Sequence, residues 1–238
     1  MKKKLAIVMG CLILSLACNL PGYTPTDESP LTQTPPPPPA TAAPLPASPT
    51  PEPPPPYFDD EFDSASPYWK IVQVGGAQPA TFTFDSSLRI ENPAPDSWIV
   101  GVHLIHSYSN VFLRAKTAVN PAGSVGLICR YNETDGWYEF NIASDGTYSL
   151  LLGKWLAEGI VTYVPIFSDT SALAESPVLE PGLFCEDNFL RLYVNDALLR
   201  NVDVTNYGLT EGNIGISAAS LAQAPATVLF EWISIKDK

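Results

Sequence analysis

The chain has 238 residues, and its 13 basic and 25 acidic side chains give a formal net charge of −12 at pH 7. An acidic excess of this size argues against nucleic acid and anionic membrane surfaces as partners, because both select for basic patches. Neutral polymers and cationic partners remain allowed.

The first segment has the pattern of an export signal. Lysines occupy positions 2–4, and the apolar run over residues 5–16 is far shorter than the roughly 20 residues that a membrane-spanning helix needs. Residues 14–18, Leu-Ser-Leu-Ala-Cys, resemble the lipobox of signal peptidase II substrates, with Cys18 as the lipidated residue. Cys11 is the rival acceptor, but it would leave only about six apolar residues for the signal. We expect a lipoprotein signal peptide over residues 1–17; an ordinary secretory signal and an uncleaved anchor are the alternatives.

A proline-rich tract follows the anchor. Residues 19–56 hold 16 of the 25 prolines, including the runs at 35–39 and 53–56, and show no apolar periodicity. Such a composition cannot bury enough surface to form a core, and its prolines favour extended, polyproline-like backbone. We expect residues 18–56 to be a disordered, lipid-anchored linker that reaches on the order of 100 Å when fully stretched. Recognition by a proline-binding module is the alternative.

Cysteine content and charge characterise the exported part. Removing the signal peptide leaves 10 basic and 25 acidic residues, a net charge of about −15. Apart from Cys11 and Cys18, only Cys129 and Cys185 remain, and in an oxidising compartment we expect them to form a disulfide. On the chain-entropy model that bond stabilises the fold by roughly 4 kcal/mol. Two buried thiols are the alternative.

Residues 57–238 suit a single domain, and their pattern predicts an all-β fold. Short runs rich in β-branched and aromatic residues alternate with turn signals such as Asp135-Gly and Asp145-Gly. The best helical candidate, residues 168–175, is short and ends at Ser176-Pro. The predicted strands cover residues 68–74, 80–84, 87–91, 98–104, 111–119, 124–131, 137–142, 147–152, 183–185, 189–195, 213–218 and 228–235. A dozen strands without a fixed repeat favour two packed antiparallel sheets over a propeller or solenoid.

The order of these motifs carries a family resemblance that spans residues 58–236. Six segments resemble strands of concanavalin A-like jelly rolls, and in particular the group called 3-keto-disaccharide hydrolase-like or laminin-G-like: residues 126–131, 137–142, 144–150, 188–196, 212–217 and 228–235. Asp196 stands where that group usually has Gly, and Glu231 where Asp is common. The resemblance implies a two-sheet antiparallel jelly-roll sandwich, but it does not by itself imply a function.

Catalytic and metal sites have weak sequence support. Glycoside hydrolases need two carboxylates about 5 Å apart in retaining enzymes, and relatives carry them on one strand in an E-x-D-x-x-E pattern. The nearest match, Glu139-Phe-Asn141, has one carboxylate. The acidic run at 59–63 is expected to be a solvated first strand, with a calcium site shared with Glu231 or Asp237 as the alternative. No other cofactor is expected. His103 and His106, three residues apart on a strand, should lie on opposite faces and not form a metal pair.

A binding face is the remaining candidate site. Strand alternation in the hairpin at 124–142 predicts four residues on the core side, Leu127, Cys129, Tyr138 and Phe140. It predicts four others on the opposite face, Arg130, Trp137, Glu139 and Asn141. An indole beside a guanidinium, a carboxylate and an amide offers a platform and hydrogen-bond partners to a sugar ring. In the alternative, Trp137 covers the end of the core and Arg130 pairs with Glu139. Trp155 and Tyr148 are further candidates for the same surface.

The sequence therefore predicts a monomeric, extracytoplasmic lipoprotein, anchored to a cell or outer membrane only by its lipid. Its domain is expected to bind a glycan or another cell-surface polymer without catalysis. One alternative is an enzyme on sugars that brings Glu139 together with Glu158 or Asp145. Another is a structural or protein-binding lipoprotein without a small ligand. Residues 158–181 carry few motifs, and we expect them to decide whether the binding face is an open groove.

Overall fold

A computed structural model describes residues 52–237. The predicted signal peptide, Cys18 and most of the linker lie outside the described residues. Within residues 52–237 the regular structure is a set of strands and one short 3₁₀ helix, Thr205–Tyr207, and no helix there is long and apolar enough to cross a membrane. The strands are β1 Phe58–Asp60, β2 Trp69–Gly75, β3 Thr81–Phe84, β4 Leu88–Asn92, β5 Ser97–Tyr108, β6 Val111–Val119, β7 Gly123–Asn132, β8 Gly136–Ala143, β9 Thr147–Ala157, β10 Ile160–Thr170, β11 Val178–Leu179, β12 Pro181–Glu186, β13 Phe189–Val194, β14 Ala197–Asp203, β15 Gly212–Ser220 and β16 Ala226–Lys236.

The strands form two antiparallel sheets. The larger has nine strands in the order β14-β13-β12-β6-β16-β4-β3, with β1 beside β16 and β11 beside β6. The smaller has seven strands in the order β10-β9-β8-β7-β15-β5-β2. The predicted all-β, two-sheet jelly-roll sandwich is confirmed.

Alternating side chains on each strand build the core between the sheets. On β6, Val111, Leu113 and Ala115 point inward and are buried, while Phe112 and Arg114 point outward and are partly exposed. The same period of two runs through β4 and β13. Burial of these apolar side chains is the main force that holds the two sheets together.

The predicted disulfide is confirmed, and it joins the two sheets. Cys129 on β7 and Cys185 on β12 are both buried in the core, with their Cα atoms 6.8 Å apart and a sequence separation of 56 residues. The bond therefore ties the middle of the seven-stranded sheet to the middle of the nine-stranded sheet.

The segment with few motifs contains the long edge strand β10. It pairs with β9 over most of its length, and its register shifts between Pro165 and Phe167. Proline cannot donate to a ladder and is tolerated on an edge strand or at a bulge. The strand was not predicted because Pro165 interrupts its pattern, yet it forms one border of the candidate site.

Candidate functional site

The concave face, which is the face of the seven-stranded sheet that points away from the core, is filled with side chains. Every residue of β8 is buried, as is nearly every residue of β7. The two edge strands, β2 and β10, contact each other, so the sheet curls around this face. A second apolar cluster occupies the curl, formed by Val100, Val102, Ile128, Tyr131 and Trp137 with Trp98, Trp155, Val161 and Tyr163 packed against them.

Trp137 lies at the centre of this cluster and is fully buried, with 0% of its surface exposed. Its ring centroid is 5.5 Å from that of Tyr131, 5.3 Å from that of Trp155 and 5.9 Å from that of Tyr163. Gly153 faces it from β9, and a Cβ atom there would overlap the indole. The close approach of β9 therefore depends on glycine at this position.

Glu139 lies beside Trp137 and is also fully buried. Its carboxylate accepts hydrogen bonds from four donors: Trp98 Nε1 at 3.0 Å, Trp137 Nε1 at 3.2 Å, Ser217 Oγ at 2.5 Å and Asn141 Nδ2 at 3.4 Å. The Tyr163 hydroxyl is buried nearby without a hydrogen-bond partner of good geometry. Burial raises the pKa of Glu139, although the bonds from Ser217, Trp137 and Trp98 act in the opposite direction.

Arg130 does not reach this face. A register shift separates Cys129 from Asn132 in the pairing of β7 with β8, and Arg130 has a positive φ of 53°. At such a bulge the extra residue leaves the alternation. The buried guanidinium of Arg130 donates instead to the carbonyl oxygens of Leu209 at 2.9 Å and Ser109 at 3.0 Å, and Tyr131 takes the place facing Trp137.

The structure therefore corrects the expected binding face. Trp137, Glu139 and Asn141 do share one face of β8, as alternation predicted, but all are buried and cannot touch a large ligand in this conformation. Arg130 is buried, links two loops through its hydrogen bonds to backbone carbonyl oxygens, and does not pair with Glu139. Tyr148 belongs to the main core, where its ring lies against those of Phe140 and Phe167.

A paired acid site is not assembled around Glu139. Glu158 lies in the β9–β10 turn and Asp145 in the β8–β9 turn, which are opposite ends of β9. Among the described residues, the side chains that shift the pKa of Glu139 carry hydroxyl or indole groups, and no second carboxylate is among them. A glycosidase mechanism with two carboxylates needs partners roughly 5 to 10 Å apart across the scissile bond.

The open part of this surface is a pocket of about 460 Å³ where the curled sheet ends, named here the mouth pocket. It is lined by Lys70, Val72, Tyr131, Glu133, Trp155 and residues 156–159, which are the end of β9 and the β9–β10 turn. Trp155 is half-buried, and its indole N–H donates to the Tyr131 hydroxyl at 2.9 Å. Lys70 and Glu133 form an exposed ion pair at 2.8 Å, which raises the pKa of Lys70 and lowers that of Glu133. Sequence reasoning named Trp155 but missed Lys70, because β2 and β7 are distant in sequence.

A second pocket, of about 520 Å³, lies where the linker enters the sandwich, and the acidic run lines it. Asp59 pairs with Lys236 at 2.8 Å, while Asp60 accepts from Phe62 N at 2.8 Å and Trp69 Nε1 at 2.9 Å. Glu231 pairs with Lys116 elsewhere. Among residues 52–237 no group of three or more His, Cys, Asp or Glu side chains is arranged to hold a metal ion.

The two histidines also differ in environment. His103 is buried between the rings of Phe58 and Trp69, and its Nδ1 atom has no hydrogen-bond partner. Burial lowers the pKa of His103 to about 4. His106 is half-buried, and its Nε2 atom lies 2.8 Å from the Pro54 carbonyl oxygen.

Comparison with known proteins gives a fold but no family. No family model and no curated protein matches the sequence. Among solved structures, a glycoside hydrolase family 16 endo-glucanase from Bacteroides ovatus matches with a TM-score of 0.55 and 10% identity over 75% of this chain and 99% of that chain. The Bacillus licheniformis beta-glucanase matches with a TM-score of 0.51 and 12% identity over 76% and 98%. The carbohydrate-binding module CBM66 from Bacillus subtilis matches with a TM-score of 0.48 and 16% identity over 68% and 91%. The two glucanase matches agree with the observed topology in giving the jelly-roll sandwich of the concanavalin A-like type.

Proposed function

We propose that the domain binds a neutral glycan at the mouth pocket and does not cleave it. The observation that carries this proposal is the contrast between Glu139 and Trp155. Glu139, the carboxylate at the centre of the concave face, is buried and committed to four donors. Trp155, at the edge of the same aromatic cluster, keeps part of its ring open to the pocket.

The chemistry of the mouth pocket supports a sugar as the ligand. The indole N–H of Trp155 is already used by Tyr131, so its exposed surface is left for the C–H face of a pyranose. Lys70 and Glu133 offer a donor and an acceptor for hydroxyl groups. Because these two charges are paired, and because the chain is acidic overall, a neutral glycan fits better than an anionic one. A volume of about 460 Å³ is within the range of small-ligand sites.

The wider setting of the proposal comes from the sequence and from the fold. The solved structures that share the fold include proteins named as glucanases, which supports a glycan-related role at a coarse level. The predicted lipid on Cys18 and the linker at 18–56 would hold the domain away from a membrane, where it could meet a cell-surface polymer. Binding by a lipid-tethered module needs no acid pair, whereas the hydrolase alternative needs one.

The test is a titration of the full-length protein with neutral oligosaccharides, namely cello-, xylo-, manno- and mixed-linkage glucan hexaoses, followed through the indole N–H resonances of its five tryptophans. We expect the Trp155 resonance to shift and the Trp137 resonance to stay unchanged. Trp155→Ala should weaken binding by at least about tenfold, the loss of one aromatic anchor. Trp232→Ala removes an indole of intermediate exposure from the other sheet and serves as the matched control.

Two results would contradict the proposal. If none of these sugars perturbs Trp155, or if Trp155→Ala binds as the wild type does, the mouth pocket is not the site. If the protein releases reducing ends from any of the hexaoses and Glu139→Gln abolishes the release, the domain is an enzyme and the concave face must open during turnover.

A further inference from the structure

A group of aromatic rings lies on the outer face of the nine-stranded sheet, remote from the concave face. This outer triad consists of Phe112 on β6, Phe184 on β12 and Tyr193 on β13, all partly exposed. The Phe112 ring centroid is 5.7 Å from that of Phe184 and 5.7 Å from that of Tyr193. Since the core-facing positions of these strands are separate and buried, the triad adds nothing to the core.

A recess lies between the rings of the triad because a glycine occupies the strand position beneath them. Gly182 on β12 pairs with Tyr193 on β13 and sits diagonally from Phe112. A Cβ atom there would lie 3.2 Å from Tyr193 Cβ and 3.3 Å from the Phe112 ring, tighter than an ordinary contact. Its absence leaves a floor of backbone beneath the rings, and the recess, lined by the triad and Asp196, has a volume of about 310 Å³.

The charges around the recess are already paired. Arg191 lies over the Phe184 ring at 5.0 Å from its centroid and binds Glu186 at 2.9 Å. Arg114 binds Asp196 at 2.9 Å and Glu180 at 3.0 Å. The rim therefore offers donors and acceptors that the fold holds in place, and its two guanidinium groups and three carboxylates leave one net negative charge.

We propose that the outer triad is a second carbohydrate site, which takes one neutral pyranose unit of a polysaccharide. Aromatic faces above a backbone floor match the apolar C–H face of a sugar ring, and the ion-paired rim matches its hydroxyls. A volume near the lower end of roughly 300–1,000 Å³ suits a single small unit. Because the rim has three carboxylates against two guanidinium groups and the chain is acidic overall, an anionic ligand fits less well. The outer triad lies on the opposite sheet from the mouth pocket. The proposal for the triad is therefore independent of the function proposed for the mouth pocket.

The experiment follows the aromatic ring resonances of the triad by NMR while glucose, mannose, galactose, xylose and fructose are added to the full-length protein at high millimolar concentration. We expect at least one pyranose to shift the Phe112, Phe184 and Tyr193 signals, and Trp155→Ala to leave this response unchanged. Gly182→Val fills the recess without removing a ring, and it should weaken the response at least about tenfold, as should Phe184→Ala. Phe189→Ala removes an exposed ring at the start of β13, outside the recess, and should leave the response at the wild-type level.

Other occupants give distinct results. A synthetic peptide of residues 34–40 that shifts the triad signals, while no sugar does, would assign the recess to the chain's own proline-rich tract and overturn the proposal. A dimer in sedimentation equilibrium that Phe184→Ala dissociates would assign it to a second copy, with the same consequence. If no sugar in the panel shifts the triad, or if Gly182→Val responds as the wild type does while its fold is intact, the proposal is also wrong.

Discussion

Trp137 and Glu139, two residues apart on β8, fix each other on the concave face: the indole N–H of Trp137 donates to Glu139 Oε2 at 3.2 Å. Trp98 and Ser217 donate to the other carboxylate oxygen, from strands β5 and β15. One side chain thus connects three strands of the seven-stranded sheet. A buried carboxylate is tolerated only when its oxygens are hydrogen-bonded. The indole and hydroxyl groups around Glu139 therefore bind the carboxylate and hold the curled sheet together, and they do not line an open groove.

Replacement of this carboxylate by an amide should change the pH dependence of stability. Burial raises the pKa of Glu139 in the folded state above its ordinary value of 4.5. The folded protein therefore binds the proton more tightly than the unfolded chain, and stability falls as pH rises from about 4.5 through the folded-state pKa. Glu139→Gln cannot ionise, and its amide can donate to Ser217 Oγ. An amide nitrogen cannot accept a hydrogen bond, however, so Trp98 Nε1 or Trp137 Nε1 loses its acceptor. We expect the variant to be about 1 to 3 kcal/mol less stable than the wild type at pH 4, and the difference to shrink as pH rises because the variant lacks the wild type's decline above pH 4.5.

Urea unfolding at pH 4, 6 and 8 measures this effect. Glu139→Ala is the control for lost hydrogen bonds: it also lacks the ionisable group, and it should cost about 2 to 4 kcal/mol at pH 4 because it leaves several buried donors unpaired. If Glu139→Gln is instead less stable than the wild type by a larger margin at pH 8 than at pH 4, the ionised carboxylate is the form that the fold requires.

The concave face also separates what sequence can predict from what it cannot. Alternation along β8 correctly placed Tyr138 and Phe140 in the core and Trp137 with Glu139 on the other side, since that pattern is local. Exposure of the second face depends on how far the sheet curls and on Val161 and Tyr163 of β10. Pro165 interrupts the sequence pattern of β10, so the strand was not predicted. No local pattern therefore indicated that side chains of β10 would fill the groove.

Arg130 illustrates a different limit. The alternation of β7 placed it beside Trp137, but one extra residue in the bulge moved it out of register and brought Tyr131 there instead. A bulge is set by a positive φ and by the partner strand, and here Gly212 of β15 packs against the backbone of Arg130 and Tyr131. A strand pattern around Arg130 contains no signal from Gly212, which lies 82 residues further along the chain.

His103 should make the fold sensitive to mild acid. Burial lowers its pKa to about 4 from an ordinary 6.5, so the unfolded chain takes up the proton first. The stability contributed by the neutral ring is complete above pH 6.5 and is lost as pH falls from 6.5 towards 4. We expect a loss on the order of 2 kcal/mol, smaller than the full shift implies because the ring borders a pocket that admits water.

Thermal unfolding across pH 4 to 7 tests this sensitivity. His103→Phe should remove most of the loss between pH 6.5 and 4, since a phenyl ring suits the space beside Phe58 and Trp69. His106→Phe, which changes the half-buried histidine, is the control, and this variant should lose as much stability between pH 6.5 and 4 as the wild type does. Equal pH profiles for wild type and His103→Phe would assign the acid sensitivity to other groups.

The disulfide should contribute substantially to stability. The bond closes a loop with a sequence separation of 56 residues, and on the chain-entropy model its removal costs about 4 kcal/mol. The double variant Cys129→Ala, Cys185→Ala should show that loss in urea unfolding, together with a smaller cost for the cavity left in the core. Dithiothreitol should destabilise the wild type and leave the double variant unchanged. A wild type indifferent to reductant even when unfolded would contradict the bond.

Gly153 offers the most direct test that the concave face is closed. A Cβ atom at this position would overlap the Trp137 indole, so Gly153→Ala must displace either the ring or strand β9. We expect a loss of about 3 kcal/mol and a red-shifted tryptophan emission, because overpacking forces Trp137 towards water. Gly159→Ala is the contrast: nothing lies within 4 Å of its Cβ position, and its φ of 70° alone should cost about 1 kcal/mol without a spectral change. If Gly153→Ala is as stable as the wild type and its emission is unchanged, β9 and Trp137 are not in contact in solution, and the face is open enough for the ligand role first predicted for Trp137.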